Sequence, residues 1–312
     1  SKAADDIFDN CKISENSEYD KYKNQYSVIY ISFNDLPKRC NSYEEYIERI
    51  ERRLVKDIRR EYPDVEISEE DAVWDILNEV YAQDMNARFI FVFDEWDFIF
   101  HQEFVTEQDK KEYLLFLRNL LKDRPYVLLA YITGILPIAK YSSGSELNMF
   151  MEYTMISEEK FSDSFGFTDS EVDQLYERYR NNRENAKVSR EGLRVWYNGY
   201  HTFSGECVYN PHSVVFALTN NNLASYWTSS GPYDEIYYYI ERNIADVRND
   251  LALMVSGEAV PAKIQEYAAT SMNLTTRDEI FSAMVVYGFL NYENGRVSIP
   301  NKELMEYVRH WI

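Results

Sequence analysis

Five apolar residues in an unbroken run, Phe89-Ile90-Phe91-Val92-Phe93, stop abruptly at two carboxylates, Asp94 and Glu95. A half-exposed strand alternates apolar with polar side chains, so a run without alternation reads as a strand buried on both faces. Ligands of open α/β sheets bind outside the carboxyl ends of parallel strands. Asp94 and Glu95 would then stand beside anything lodged in that crevice.

The flanking sequence supplies the rest of such a sheet. Tyr26 to Phe33 and Tyr126 to Ile132 are β-branched and aromatic runs that read as two further buried strands. Ser42 and Glu45 form a capping box for a helix reaching Tyr62 before Pro63. Val73, Ile76, Leu77 and Val80 share one face of a second helix, from about Glu70 to Asp84. Tyr113, Leu114, Leu117, Leu120 and Leu121 do the same between Lys110 and Lys122. Strands alternating with helices predict a parallel, doubly wound α/β sheet. The third strand is tipped by Thr133. Because crossovers are right-handed and successive strands tend to pair, Thr133 is expected close to the two carboxylates.

Asp94 and Glu95 have the form of a Walker B element, whose first carboxylate holds Mg²⁺, usually through water, while the second orients or deprotonates an attacking water. A Thr133 hydroxyl beside them could sense a γ-phosphate or help hold that water. The alternative at each position is plain: acids end strands where the chain returns to solvent, and Thr133 caps the next turn.

Composition narrows the choice. With 33 Lys plus Arg against 53 Asp plus Glu the formal charge is -20, which opposes binding a phosphate backbone over any broad surface. The basic stretch Glu51 to Glu61 is interleaved with acids and apolar residues at helical spacing and reads as a solvated helix face. Cys11, Cys40 and Cys207 are odd in number and form no C-x-x-C pair, fitting free thiols in a reducing, cytoplasmic setting. No apolar run reaches the roughly 18 residues of a membrane helix. Among the ten glycines no two are spaced as a G-x-x-x-x-G-K-[ST] or G-x-G-x-x-G loop requires.

Beyond the sheet, Phe150 to Ile156 reads as a further strand, and the pattern then turns helical. Thr168 and Glu171 cap a helix, Trp196 to Tyr200 reads as a turn between helices, and Asn210-Pro211 starts another. Tyr233 to Asn249 is a Tyr-rich helix, and Thr276 with Glu279 caps one running through Gly288. Phe289 to Ile299 follows as a hairpin around Asn294-Gly295, giving a winged-helix-like end. Three regions are expected: an α/β core over 1–156, a helical domain over 157–231, and a helical, winged-helix-like domain over 232–312.

Taken together, the residues resemble the bacterial AAA-ATPase-like family, whose members often carry a C-terminal restriction-endonuclease-like nuclease domain. The likeness rests on Asp94-Glu95-Trp96-Asp97, Ala130 to Ile138, Ser145 to Phe150, Phe165 to Thr168, Trp196 to Tyr200, Tyr209-Asn210-Pro211, Tyr226-Trp227-Thr228 and Ile299 to Glu303, in order. It implies a P-loop NTPase core with Asp94 on the Mg²⁺ side, Glu95 activating water and Thr133 in the sensor position. It also implies a Gly-Lys-Thr phosphate loop upstream of the part matching Ser1 to Asn34, and a nuclease domain beyond Ile312. Neither is in this sequence, so the sheet is expected to be incomplete at its N-terminal side. Glu158-Glu159-Lys160 lacks the upstream strand-ending Asp a nuclease triplet needs.

Two functions follow. The first is an ATPase-like module of a larger protein, using Mg²⁺ and ATP once the phosphate loop is supplied, with this chain alone binding ATP weakly or not at all. The second is a non-catalytic module contacting a protein or nucleic acid through its C-terminal helical region. The aromatics of Tyr197 to Tyr200 and Tyr226-Trp227 would be its contacts, against the plainer reading that they pack between helices. An oligomer is compatible with the first, and Arg124 is its candidate arginine finger, though helix C-termini attract arginine anyway.

Overall fold

The computed structural model describes residues 7–35, 40–68, 70–138, 147–156, 159–227, 236, 240, 247–264 and 274–311. The chain forms two compact units, Ser1–Ile135 with Tyr141–Met149, and Leu136–Lys140 with Phe150–Ile312.

In the first unit a short helix α1 (Tyr19–Tyr22) precedes β1 (Ser27–Ser32), α2 (Tyr43–Glu61), α3 (Val73–Gln83), β2 (Phe89–Asp94), α4 (Glu107–Leu121) and β3 (Val127–Ile132). The three strands are parallel in the order β1-β2-β3, with Ser32 beside Asp94 and Phe93 beside Ile132. The α/β reading therefore holds, and the carboxylate-tipped strand is central among the described strands. The Ser42 side chain accepts from the Glu45 amide as expected, but the Glu45 carboxylate reaches Asn41. A capping box of Thr106 and Asp109 starts α4 three residues earlier than the leucine spacing suggested.

Phe89, Phe91 and Phe93 lie on one face of β2 and are buried. Their rings continue edge to face through Phe33 into Tyr113 of α4, with centroids 5.3 and 5.6 Å apart. Such pairs add to area burial because ring edges carry positive and ring faces negative charge.

The expectation that all three strands are buried is overturned: β1 has one buried residue, β3 none, and β2 is covered on one face only. The residues of β2 alternate between buried and half-buried, and the second face carries Val28, Tyr30, Leu129 and Tyr131 at 55, 61, 54 and 59% exposure beside Ile90 and Val92. The reason is topological. Right-handed crossovers that all step the same way, β1 to β2 to β3, deliver every connecting helix to one face.

The second unit holds α5 (Asp169–Asn181), α6 (Arg190–Tyr197), the two-residue strands β4 (Tyr200–His201) and β5 (Cys207–Val208), and α7 (Pro211–Asn220). It continues with α8 (Val247–Val255), β6 (Val260–Pro261), α9 (Arg277–Val286), β7 (Asn291–Glu293), β8 (Arg296–Ser298) and α10 (Lys302–Val308). Val172, Leu193, Tyr197, Tyr209, Val214 and Ala217 form one of its cores. The hairpin closes through Asn294 and Gly295, both with positive φ, and β6 joins it as a third antiparallel strand. Three expectations fail here. Phe150 to Ile156 is irregular, not a strand. Trp196 to Tyr200 joins a helix to a strand: Gly199 has φ +117°, and a Cβ there would stand 2.0 Å from the Pro300 carbonyl oxygen. Helix α10, capped by Asn301, had no sequence assignment. Most of Tyr233 to Asn249, together with Ser145, Glu146, Glu158 and Thr228, lies outside the described residues.

Candidate functional site

Parallel pairing with Ser32, Asp94 and Ile132 at neighbouring strand ends brings three side chains from separate strands to one point. The Thr133 hydroxyl donates to Asp94 Oδ1 at 2.6 Å, and the Tyr30 hydroxyl donates to Asp94 Oδ2 at 3.3 Å. Both carboxylate oxygens are thus fixed by hydroxyls, one from each flanking strand.

Glu95 leaves the strand. Its φ of 52° is left-handed, a conformation that costs a non-glycine residue about 1–2 kcal/mol, and its side chain is exposed. Neighbouring bonds hold that kink. The Trp96 amide donates to the Thr133 carbonyl at 3.1 Å, the Thr133 amide to the Phe93 carbonyl at 2.8 Å, and the Tyr113 hydroxyl to the Trp96 carbonyl at 2.7 Å. Asp97, 3% exposed, accepts the Ile135 amide at 2.9 Å. Gly134 lets the two loops meet, since a Cβ there would lie 2.4 Å from the Trp96 ring and 2.6 Å from Asp97 Oδ1.

The three residues singled out in the sequence divide as follows. Asp94 and Thr133 are in direct contact, and Glu95 follows Asp94 in the chain with its carboxylate turned to solvent. Tyr30 and Asp97 carried no assignment of their own. Tyr30 was legible only as a strand residue, because its approach to Asp94 spans 64 positions. Asp97 had a signal, a third acid two residues past the pair, but its burial under Ile135 is tertiary. Arg124 donates to the Asn119 carbonyl at 2.6 Å, the end-of-helix role that competes with the finger. The candidate contact aromatics pack against their own unit, the alternative the sequence also offered. Tyr197 is buried with its hydroxyl on the Ala224 carbonyl, Tyr200 donates to the Gly288 carbonyl, and Trp227 meets Phe289 edge to face.

The donor set is all oxygen, which suits Mg²⁺. Among the described residues no group of three or more His, Cys, Asp or Glu is arranged to hold a metal ion. Asp94 would hold Mg²⁺, which would supply charge neutralisation of a triphosphate. Among the described residues no helix is long and apolar enough to cross a membrane.

The chain is similar to several known proteins. An uncharacterised protein in the vnfD 5′ region of Azotobacter chroococcum mcd 1 is 28% identical over 148 residues. That match covers 46% of this chain and 27% of the relative, so the chain spans about a quarter of the relative's length. Among solved structures, a Walker-type ATPase of Pyrococcus abyssi aligns with a TM-score of 0.48 at 11% identity, over 91% of this chain and 84% of that one. The ORC2 protein of Aeropyrum pernix, in ADPNP–ADP complexes, aligns at 0.36 and 14% identity over 96 and 82%. The family model described as a predicted AAA-ATPase matches residues 1–143, the segment that contains the whole Asp94 site. Over those residues the chain resembles the AAA-ATPase-like family.

Proposed function

We propose that the first unit is the carboxylate half of a nucleoside-triphosphate hydrolase site. Asp94 holds Mg²⁺, usually through water. Glu95 orients or deprotonates the attacking water, and Thr133 fixes the Asp94 carboxylate and reports on the γ-phosphate. The observation that carries this is the 2.6 Å bond between Thr133 Oγ1 and Asp94 Oδ1 at the carboxyl ends of neighbouring parallel strands. Catalysis of this kind is mostly positioning and charge neutralisation, which two loops stitched to each other provide.

The phosphate grip comes from elsewhere, and the topology says where it fits. A right-handed crossover that starts from a strand at the outer edge of β3 and returns to β1 lays its helix on the open face. The N-terminus of that helix, with its free N–H groups, would then face Asp94 and Thr133. A cytoplasmic setting belongs to the same proposal and rests on the free thiols of Cys11, Cys40 and Cys207. Of the aromatics on which the non-catalytic reading relies, Tyr197 is buried, while Tyr200, Tyr226 and Trp227 are half-buried.

In the full-length protein, Glu95→Gln should abolish Mg-ATP turnover, measured as phosphate release, while leaving nucleotide binding intact. Unchanged turnover removes Glu95 from the mechanism. Residues 1–312 alone should show no micromolar heat of binding with Mg-ATP, and a micromolar isotherm would refute the need for an external phosphate grip.

A further inference from the structure

Around Tyr153 and Phe161 the second unit holds an aromatic corner that belongs neither to the nucleotide site nor to the core built on Tyr197 and Tyr209. The Ser162 amide donates to the Glu159 carbonyl at 3.2 Å, closing a turn with Lys160 and Phe161 at its centre. Phe161 takes φ 68° and ψ 5° there, angles that type II turns reserve for Gly or Asn. A left-handed backbone is strained for any residue with a Cβ. Burial does not offset that strain, since Phe161 is 48% exposed.

What the turn achieves is a placement. The Phe161 ring stands edge to face against Tyr153, with centroids 4.9 Å apart and an interplanar angle of 82°. The Lys160 ammonium lies over both rings, 5.5 Å from the Tyr153 centroid and 5.0 Å from that of Phe161. Met151 stands at the rim, where the Tyr153 hydroxyl donates to its sulfur at 3.8 Å. Among the described residues no carboxylate pairs with Lys160, so its cation is seated on rings, not on an acid. A ring pair and an exposed cation–π contact are worth about what a left-handed residue costs, so the corner adds little to stability.

We infer that this corner is a binding site for a quaternary ammonium group, with Lys160 as the internal cation that the ligand displaces. Aromatic rings hold a cation through their quadrupole, and two rings at a right angle surround more of it than one can. A trimethylammonium head suits the corner better than Lys160 does. Its methyl groups bury apolar surface against the rings and the polarizable Met151 thioether, whereas a primary ammonium keeps water on its three N–H donors. The formal charge of -20 favours the approach of any cation.

The test follows the Met151 methyl resonance of this chain, labelled at its methionine methyls, during titration with choline. The shift should saturate at millimolar choline, and the neutral tert-butyl isostere of choline should leave it unmoved. Lys160→Ala, which vacates the corner, should tighten choline binding several-fold, a gain that misfolding cannot produce. Phe161→Gly should abolish the shift without lowering the thermal midpoint, because glycine removes the strain along with the ring. A peptide carrying trimethyllysine should also bind; tighter binding than choline assigns the head group to a protein partner, weaker binding to a small molecule. The inference is overturned by the absence of a saturable choline shift, or by equal binding of the neutral isostere. Weaker binding in Lys160→Ala, or an unchanged shift in Phe161→Gly, would overturn it too. None of these outcomes depends on ATP turnover.

Discussion

Single residues do most of the positioning in this molecule. Asp94 has both oxygens fixed by hydroxyls, and Glu95 is turned out of the strand by a left-handed backbone that Trp96, Thr133 and Tyr113 hold in place. In the second unit Glu303 has a comparable position. It is 1% exposed and accepts from the Ser213 hydroxyl at 2.8 Å and from the Tyr226 and Trp227 amides at 2.6 and 2.9 Å. Removing one partner from a buried charged network leaves the others unsatisfied. Glu303→Ala should therefore destabilise the fold by about 1–3 kcal/mol in chemical denaturation, with Glu303→Gln costing less because it keeps one acceptor oxygen. A loss below about 1 kcal/mol for the alanine variant would mean that the two amides and the hydroxyl find other acceptors.

Between elements, α5 and α6 are tied by one arginine. Arg190 donates to Asp169 and Asp173, each at 2.6 Å, and to the Tyr209 hydroxyl at 2.7 Å; Tyr209 in turn donates to Asp169 at 2.6 Å. The Tyr209 hydroxyl first, and Arg190 second, hold the Asp169 carboxyl below its ordinary value of 3.8. A depressed folded-state pKa contributes stability that is present above the unfolded value and lost as pH falls through the folded one. The thermal midpoint should therefore drop as pH falls below about 4, and Asp169→Asn should flatten that acid limb while lowering the midpoint at neutral pH. A variant whose acid limb matches wild type would show that other carboxylates control it.

For the molecule as a whole, the first unit is a sheet dressed on one side. Exposed apolar patches of this kind mark contact surfaces or aggregation liabilities. Replacing Leu129 and Tyr131 with Lys should lower both the binding of a hydrophobic dye and concentration-dependent association in sedimentation, without unfolding the helix-covered face. Unchanged dye binding would place the sticky surface elsewhere.

What could be read from residue order was what short-range physics controls. Strand identity follows from β-branched and aromatic runs, helix starts from Ser42, Thr168 and Thr276, the hairpin from Asn294-Gly295. Two carboxylates at a strand end announced a site, and the crossover rule placed Thr133 beside them. Tertiary structure decided the rest, because burial and contact between distant residues depend on which face the crossovers cover and on how strands register. It left the second face of β2 uncovered despite an uninterrupted apolar run, and it brought Tyr30 to Asp94. It turned Arg124 to its own helix end and buried Tyr197, as the packing reading of that stretch expected. A stretch of chain determines its local conformation from neighbours a few positions away; exposure is settled only when every other element has taken its place.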